Sequence, residues 1–397
     1  MRFVFFLTGL LFVFLVGFLI SSDRKHIKYK KMGTMLLAQL VISFVCLNTK
    51  VGTVVLTKIS EFFNWLMLQA NGGINFVFGG FVFEEGASTF FLYVLLPIVF
   101  ISALVGILNY IKVLPFIIKW SGKGLNKLSR MGELESYFAI STMVLGQPEV
   151  FITIKNIIPK LTPQRLYTIC ASAMSAVSAA VLAAYMELIP GKFVVTAVFL
   201  NILSALIVSC IVNPYDVDKE DDASVELEEN QEKKVPFFEM LSNYILDGFH
   251  LAVTVAAMLI GFVALVTLLN STFEAIFNIS FTQILGYIFA PVAFIMGVPT
   301  ADISQVGSIM ATKLLTNEFV AMASLQEVIN TLSPKAVAII STYLVSFANF
   351  SVVGIITGSI KSISPMQGAE VAKFSMKLLL GATLASIVTG TITGLYF

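Results

Sequence analysis

Charge is what this sequence has least of. Lys, Arg, Asp and Glu make up only 12% of its 397 residues, while 57% are hydrophobic. A soluble domain is about 25% charged, so these ionisable groups cannot cover a water-facing surface of this size. A soluble globular fold is excluded, and the surplus apolar residues must face lipid. The 25 basic residues are matched by 24 acidic ones, so the basic footprint of a nucleic-acid binder is missing. There are two histidines, and the three cysteines (Cys46, Cys170 and Cys210) lie in apolar segments without CxxC spacing. That excludes a disulfide framework and a zinc site. With no HExxH, no paired histidines and no nucleophile–base set, the sequence offers neither an enzyme's residues nor a resident cofactor's ligands.

Long apolar runs are what the sequence has in their place. At about 20 residues per membrane-spanning helix, the length allows roughly eight to eleven apolar segments. Residues 3–20 are uncharged, and the basic cluster follows them (Arg24, Lys25, Lys28, Lys30, Lys31) rather than preceding them. A signal peptide has the reverse order, so this run predicts a first span. Basic loops stay in the cytoplasm, which puts both termini outside. Residues 35–47 and 90–111 predict further spans, and the amphipathic stretch 51–70 predicts an interfacial helix. Two plain spans follow at 166–188 and 193–212, then one at 250–269. The stretch 216–234, with nine acidic and three basic residues, reads as a solvated cytoplasmic linker.

Two regions break the pattern. Residues 136–158 are apolar but interrupted by Gly146, Gln147, Pro148 and Glu149. Proline interrupts helical hydrogen bonding, and irregular backbone at membrane depth survives only inside protein or along a cavity. A re-entrant helical hairpin results. A second hairpin is expected from 284–299 onward through 309–322, with Pro291, Gly297, Pro299, Asn317 and Glu318. Each is followed by further spans, in the second half 336–360 (interrupted by Ser346, Asn349 and Ser351) and 378–397. Paired broken segments in the two halves point to a secondary transporter with a mid-membrane site. The implied divisions are N-terminal spans and scaffold (1–135), first transport repeat (136–215), linker and scaffold span (216–283) and second transport repeat (284–397).

Glu149 and Glu318, 169 residues apart, are the acids set deepest in apolar sequence. A carboxylate at the bilayer centre costs at least about 2.5 kcal/mol, so each needs a reason to be there. Each sits near an amide, Gln147 and Asn317. Such sets hold a polar, uncharged, multiply hydroxylated molecule by directional hydrogen bonds. Asn349 in mid-span needs partners as well. The serines at 172, 175 and 178 fit close helix packing.

With these residues in place, the sequence resembles the concentrative nucleoside transporter family along essentially its whole length. The resemblance rests on GQPEVF (146–151), VNPY (212–215), AMLIGF (257–262), GVP (297–299), TNEFVAM (316–322) and SFANFS (346–351). It implies a homotrimer in the bacterial inner membrane, with lipid, nucleoside and a co-transported cation as partners and no nucleic acid. It implies an all-α polytopic membrane protein of about eight transmembrane helices, two re-entrant helical hairpins, interfacial helices and an inverted-repeat transport domain that moves as an elevator. By resemblance, Gln147 and Glu149 meet the nucleobase edge, Glu318 and Asn349 meet the ribose hydroxyls, and Phe347, Leu259 and Val181 wall the substrate.

The sequence departs from the family's pattern in three places. Pro148 stands where Ser or Thr is common. A ribose-contacting Ser falls at Val352, with Ser351 beside it. At the sodium site, the Asn position holds Thr142 and a hydroxyl position holds Ala176, which leaves the backbone at Leu145 and Val177. The expectation is therefore a nucleoside importer coupled to protons through Glu149 or Glu318. A sodium-coupled symporter and a carrier of free nucleobases or related ribosides are the alternatives.

Overall fold

The computed structural model describes residues 2–79, 89–216 and 235–397. Within them the protein is all helical. Five helices open the chain: α1 (Arg2–Leu19), α2 (Tyr29–Asn48), α3 (Lys50–Phe78), α4 (Pro97–Tyr110) and α5 (Val113–Ser129). The first repeat is α6 (Glu133–Ser141), α7 (Gln147–Ile152), α8 (Pro163–Ser175), α9 (Ala179–Leu188) and α10 (Gly191–Val212). Two helices connect the repeats, α11 (Phe237–Phe277) and α12 (Phe281–Ile295). The second repeat is α13 (Ile303–Leu315), α14 (Glu318–Val328), α15 (Pro334–Leu344), α16 (Phe350–Ile363) and α17 (Pro365–Gly394). Seven helices among the described residues are long and apolar enough to cross a membrane, or eight if the bent pair α8–α9 is one span. That agrees with the expected number.

Helix boundaries follow local chemistry. Thr162 and Ser333 accept from the backbone N–H of Arg165 and Ala336 and so cap α8 and α15, each with proline at the first helical position, where its missing N–H costs nothing. Ser280 and Gln283 cap α12 reciprocally, in the arrangement that satisfies two orphan N–H groups at once.

The structure alters several boundaries read from the sequence. The stretch 51–70 belongs to a 29-residue helix that runs on through Gly72 and Gly73 and has the length and composition of a span. Residues 284–299 are not the entry to a hairpin. Pro291 is accommodated inside the continuous α12, and the chain reverses after it through Gly297 at φ +92°, a conformation glycine adopts without steric cost. The second hairpin is α13 and α14. A Cβ at Gly307 would lie 2.5 Å from the Gly286 carbonyl oxygen, so the small residues set the close approach of α12 and α13. The stretch 166–188 is two helices bent by 40°, separated by extended residues at Ala176 and Ser178. The 250–269 span is the middle of the 41-residue α11. Of the acidic linker, 217–234 lies outside the described residues, and Asp216 pairs with Lys28 at 2.5 Å.

The repeats interlock. Helix α7 of the first hairpin packs against α16, and α14 of the second packs against α9. Each hairpin therefore meets the outgoing half of the other repeat's broken span. Helices α10 and α17 lie side by side; α10 is almost wholly buried, and α17 is buried from Leu378 onward apart from Leu380. Helix α11 packs on α4 and leaves most of its length exposed.

Candidate functional site

The second hairpin tip, the break before Asn349 and helix α9 place polar groups together. On the second repeat, Asn317 caps α14 by accepting from the Val320 N–H (3.0 Å), and Glu318 is the first residue of that helix. Carboxylates are favoured at a helix N-terminus, where unpaired N–H groups and the dipole are positive. Glu318 is buried. Its Oε1 accepts from the Tyr185 hydroxyl of the first repeat (2.9 Å), and its Oε2 accepts from Asn349 Nδ2 (2.9 Å). Asn349 also caps α16, its Oδ1 accepting from the Val352 N–H (3.0 Å) and the Ser351 hydroxyl (2.7 Å). One amide thus orients a carboxylate and ends a helix break.

The first repeat is built differently. Gln147 opens α7, and its Nε2 donates to the Ala173 carbonyl (2.9 Å), one of the last carbonyls of α8, which have no helical partner. Glu149 lies two residues further on. Its Oε2 is buried with no hydrogen-bond partner among the described residues. A Cβ at Gly146 would lie 2.1 Å from that oxygen, so the tip glycine makes room for the carboxylate. An orphaned carboxylate oxygen is costly and favours a ligand there.

Helix starts fix the register of the repeats. Gln147 and Glu318, Pro163 and Pro334, and Ala179 and Phe350 each open corresponding helices and are each 171 residues apart. The two glutamates, 169 apart, are therefore not equivalent. Glu318 corresponds to Gln147, and Glu149 corresponds to Val320.

Of the other expected residues, Val181 is buried one turn before Tyr185 on the same face of α9. Phe347 is half-buried in the break before Asn349, and Ser351 serves Asn349 as described. Thr142 ends the first helix of hairpin 1 and donates to its own Ala139 carbonyl (2.6 Å). Leu259 is half-buried on α11, outside both repeats.

Sequence reasoning missed four residues. Tyr185, the partner of Glu318, sits in an ordinary apolar run. Lys313, fully buried in IMATKLL, carried the signal of a cation within apolar sequence. Asn201 satisfies the break in the second repeat, its Nδ2 donating to the Val345 carbonyl while its Oδ1 accepts from Thr389 (2.7 Å). Asp247 on α11 lies within electrostatic range of Glu149.

Comparisons with known proteins cover the whole chain. Residues 8–81 match the family model described as Na+ dependent nucleoside transporter N-terminus, 91–192 match nucleoside recognition, and 193–394 match Na+ dependent nucleoside transporter C-terminus. The purine nucleoside transport protein NupG of Bacillus subtilis is 36% identical over 398 residues, covering all of both chains. The nucleoside permease NupC of Helicobacter pylori is 26% identical, over 99% of this chain and 97% of its own. Among solved structures, CNTnw in an inward-facing substrate-bound state superposes with a TM-score of 0.93 at 27% identity, over 100% of this chain and 99% of its own. A variant of CNTnw in an outward-facing state gives 0.92 at 26%, over 100% and 98%. Two full-length hairpin repeats, a carboxylate–amide cluster at their crossing and a 36% identical relative over the entire length agree: the chain belongs to the concentrative nucleoside transporter family.

Proposed function

We propose that the chain imports nucleosides by cation symport, as a homotrimer in the bacterial inner membrane with both termini outside, the two repeats moving as an elevator. The observation that carries this reading is the Glu318 carboxylate, held by Tyr185 from one repeat and Asn349 from the other. A carboxylate fixed beside an amide at a protein-lined crossing accepts from two vicinal hydroxyls, as a ribose presents them, with charge-assisted hydrogen bonds. Glu149, with its unpartnered oxygen, and Gln147 then face the base, and Val181 and Phe347 offer apolar walls. The relative named for purine nucleosides makes these the first substrates to test.

Protons are the favoured coupling ion. Sodium requires several oxygen ligands, and Ala176 supplies no side-chain oxygen. Glu149, by contrast, is a carboxylate in low-dielectric surroundings with an oxygen free to take a proton. A second reading, sodium coupling, draws on the description of the matched family model and on the buried Ser175 hydroxyl, which has no partner among the described residues and sits beside Ala176. The experiment is uptake of labelled adenosine and uridine into proteoliposomes under an inward proton gradient without sodium. Accumulation is expected. No uptake until sodium is supplied would move the assignment to sodium, and no uptake with either gradient would refute ion-coupled import.

A further inference from the structure

The register of the repeats gives Lys313 a counterpart, Thr142, 171 residues earlier. Lys313 lies in the last turn of α13 and is completely buried. Its ammonium donates to the Tyr343 carbonyl (2.5 Å), to Ser346 Oγ (2.7 Å) and to Ser386 Oγ (3.4 Å), and it lies 4.4 Å from the Tyr343 ring centroid. A carbonyl and two hydroxyls converging on one point are a hard-cation ligand set, here filled by a cation tethered to the chain. In the first repeat, the register places Ser175 opposite Ser346 and Ser172 opposite Tyr343. There the residue equivalent to Lys313 is a neutral threonine bonded to its own helix. Correspondingly, the Ser175 hydroxyl is buried without a partner among the described residues.

We propose that Lys313 is the internal cation of the second repeat, a positioning residue. It holds the outgoing end of α15 and the chain break leading to Asn349 against hairpin 2, in the role a diffusible ion would otherwise take at that crossing. The charge has three reasons to be needed there. The Tyr343 carbonyl lies at the end of α15, where helical carbonyls lack partners and the dipole favours a cation. Ser346 stands three residues before Asn349 and so belongs to the break itself. Glu318, five residues beyond Lys313, is close enough to interact with it electrostatically. The ammonium thereby stabilises a carboxylate that would otherwise be buried without a counter-charge. The second hairpin stays docked without an ion from solution, and ion dependence is left to the first repeat.

The part of this inference that concerns nucleoside binding rests on Glu318 and Asn349 holding the substrate; the part that concerns the cation does not. Purified wild type, Lys313→Ala and Lys313→Met are compared in choline, sodium and methylammonium salts, by thermal unfolding and by nucleoside titration. Methylammonium is expected to raise the unfolding midpoint of Lys313→Ala selectively, because it refills the ligand set and binds the folded state alone. Wild type and Lys313→Met, whose sites are filled, should show no such rise. Nucleoside affinity in choline should fall at least about tenfold in both variants, or 1.4 kcal/mol, and recover toward wild type with methylammonium only in Lys313→Ala. Equal response of all three proteins to methylammonium, or wild-type affinity in Lys313→Met, would overturn the inference. If neither lysine variant folds, the double variant Ser346→Ala, Ser386→Ala decides with the lysine intact. Weakened nucleoside affinity is then expected, and unchanged affinity would contradict the proposal. A wild type that binds no nucleoside would strike the functional reading, while the thermal comparison would still judge the cation.

Discussion

The two repeats fold alike and solve the same problems with different residues. Each has a hairpin whose base must be fastened to the broken span that follows. In the first repeat a buried ion pair does this, Arg165 donating to both oxygens of Glu135 (2.6 and 3.0 Å) while Tyr215 donates to Oε1 (3.1 Å). In the second, Asp302 accepts from the Ser333 hydroxyl (2.5 Å) and N–H (3.2 Å). Each repeat also has unpaired carbonyls where its span breaks. The first uses the amide of Gln147, the second the ammonium of Lys313. The carboxylate of the second hairpin is partnered on both oxygens, by Tyr185 of the first repeat and Asn349 of its own. Among the described residues, the carboxylate of the first hairpin, Glu149, keeps a buried oxygen without a partner, as do the hydroxyls of Ser175 in the first repeat and of Ser341 and Thr391 in the second. Similar backbones thus carry one hairpin carboxylate held on both oxygens and one with an oxygen left over.

The sharpest way to break this comparison is to substitute the register-equivalent residues Glu318 and Gln147. Glu318→Ala should cost uptake at least about a hundredfold, since hydrogen bonds to a charged group contribute about 1.5–3 kcal/mol each. Gln147→Ala, which removes a neutral amide, should cost about tenfold by the same reasoning. Initial uptake rates at several nucleoside concentrations check this, and equal losses would erase the asymmetry. Next in size is the hairpin base. Arg165→Met leaves Glu135 buried without its counter-charge, with only the Tyr215 hydroxyl still donating to it, and should destabilise the fold by about 3–5 kcal/mol. Ser333→Ala in the second repeat should cost about 1 kcal/mol, the value of a cap. Thermal unfolding of the two variants orders them.

A subtler separation comes from Glu149→Gln. The change keeps the shape and removes the group proposed to carry the proton, so nucleoside binding should stay within about threefold, less than the effect of one hydrogen bond. Concentrative uptake under a proton gradient should be lost while exchange across the membrane continues. Retained proton-driven accumulation would place coupling elsewhere. The smallest expected effect is a gain. Thr142→Asn with Ala176→Ser restores two oxygen ligands beside the backbone of Leu145 and Val177 and should make uptake measurably stimulated by sodium. Continued indifference to sodium would show that the first repeat's gap is not an ion site in disrepair.

Much of this architecture was legible in the sequence, for physical reasons that differ by element. Long uncharged runs such as 3–20 can only be buried or face lipid, so the spans stood out. The first hairpin was marked by Gly146 and Pro148, and Glu149, Glu318 and Asn349 were found because polar groups in apolar sequence need a reason. The break between α8 and α9 was missed because its residues, Ala176, Val177 and Ser178, carry no helix-breaking signal. It is held open from outside, by Gln147 on the Ala173 carbonyl. Pro291 misled in the opposite direction, since a single proline can be absorbed within a long apolar helix. Tyr185, Lys313 and Asn201 act across more than a hundred residues or between separate helices, and composition does not reveal such pairing. The repeat register became visible only when three pairs of helix starts gave the same spacing, which separated Glu149 from Glu318.

The claim on which everything else turns is that Glu318, oriented by Tyr185 and Asn349, accepts from the substrate's ribose hydroxyls. Calorimetric titration of the purified protein with a nucleoside and its 2′-deoxy and 3′-deoxy analogues tests this most directly, alongside Glu318→Gln. Wild type should bind at least one deoxy analogue about tenfold or more weakly, because a lost hydrogen bond to a charged group costs more than 1.4 kcal/mol. In Glu318→Gln that discrimination should largely vanish. If wild type bound all three compounds equally, or if Glu318→Gln discriminated among them as wild type does, the ribose assignment would be wrong.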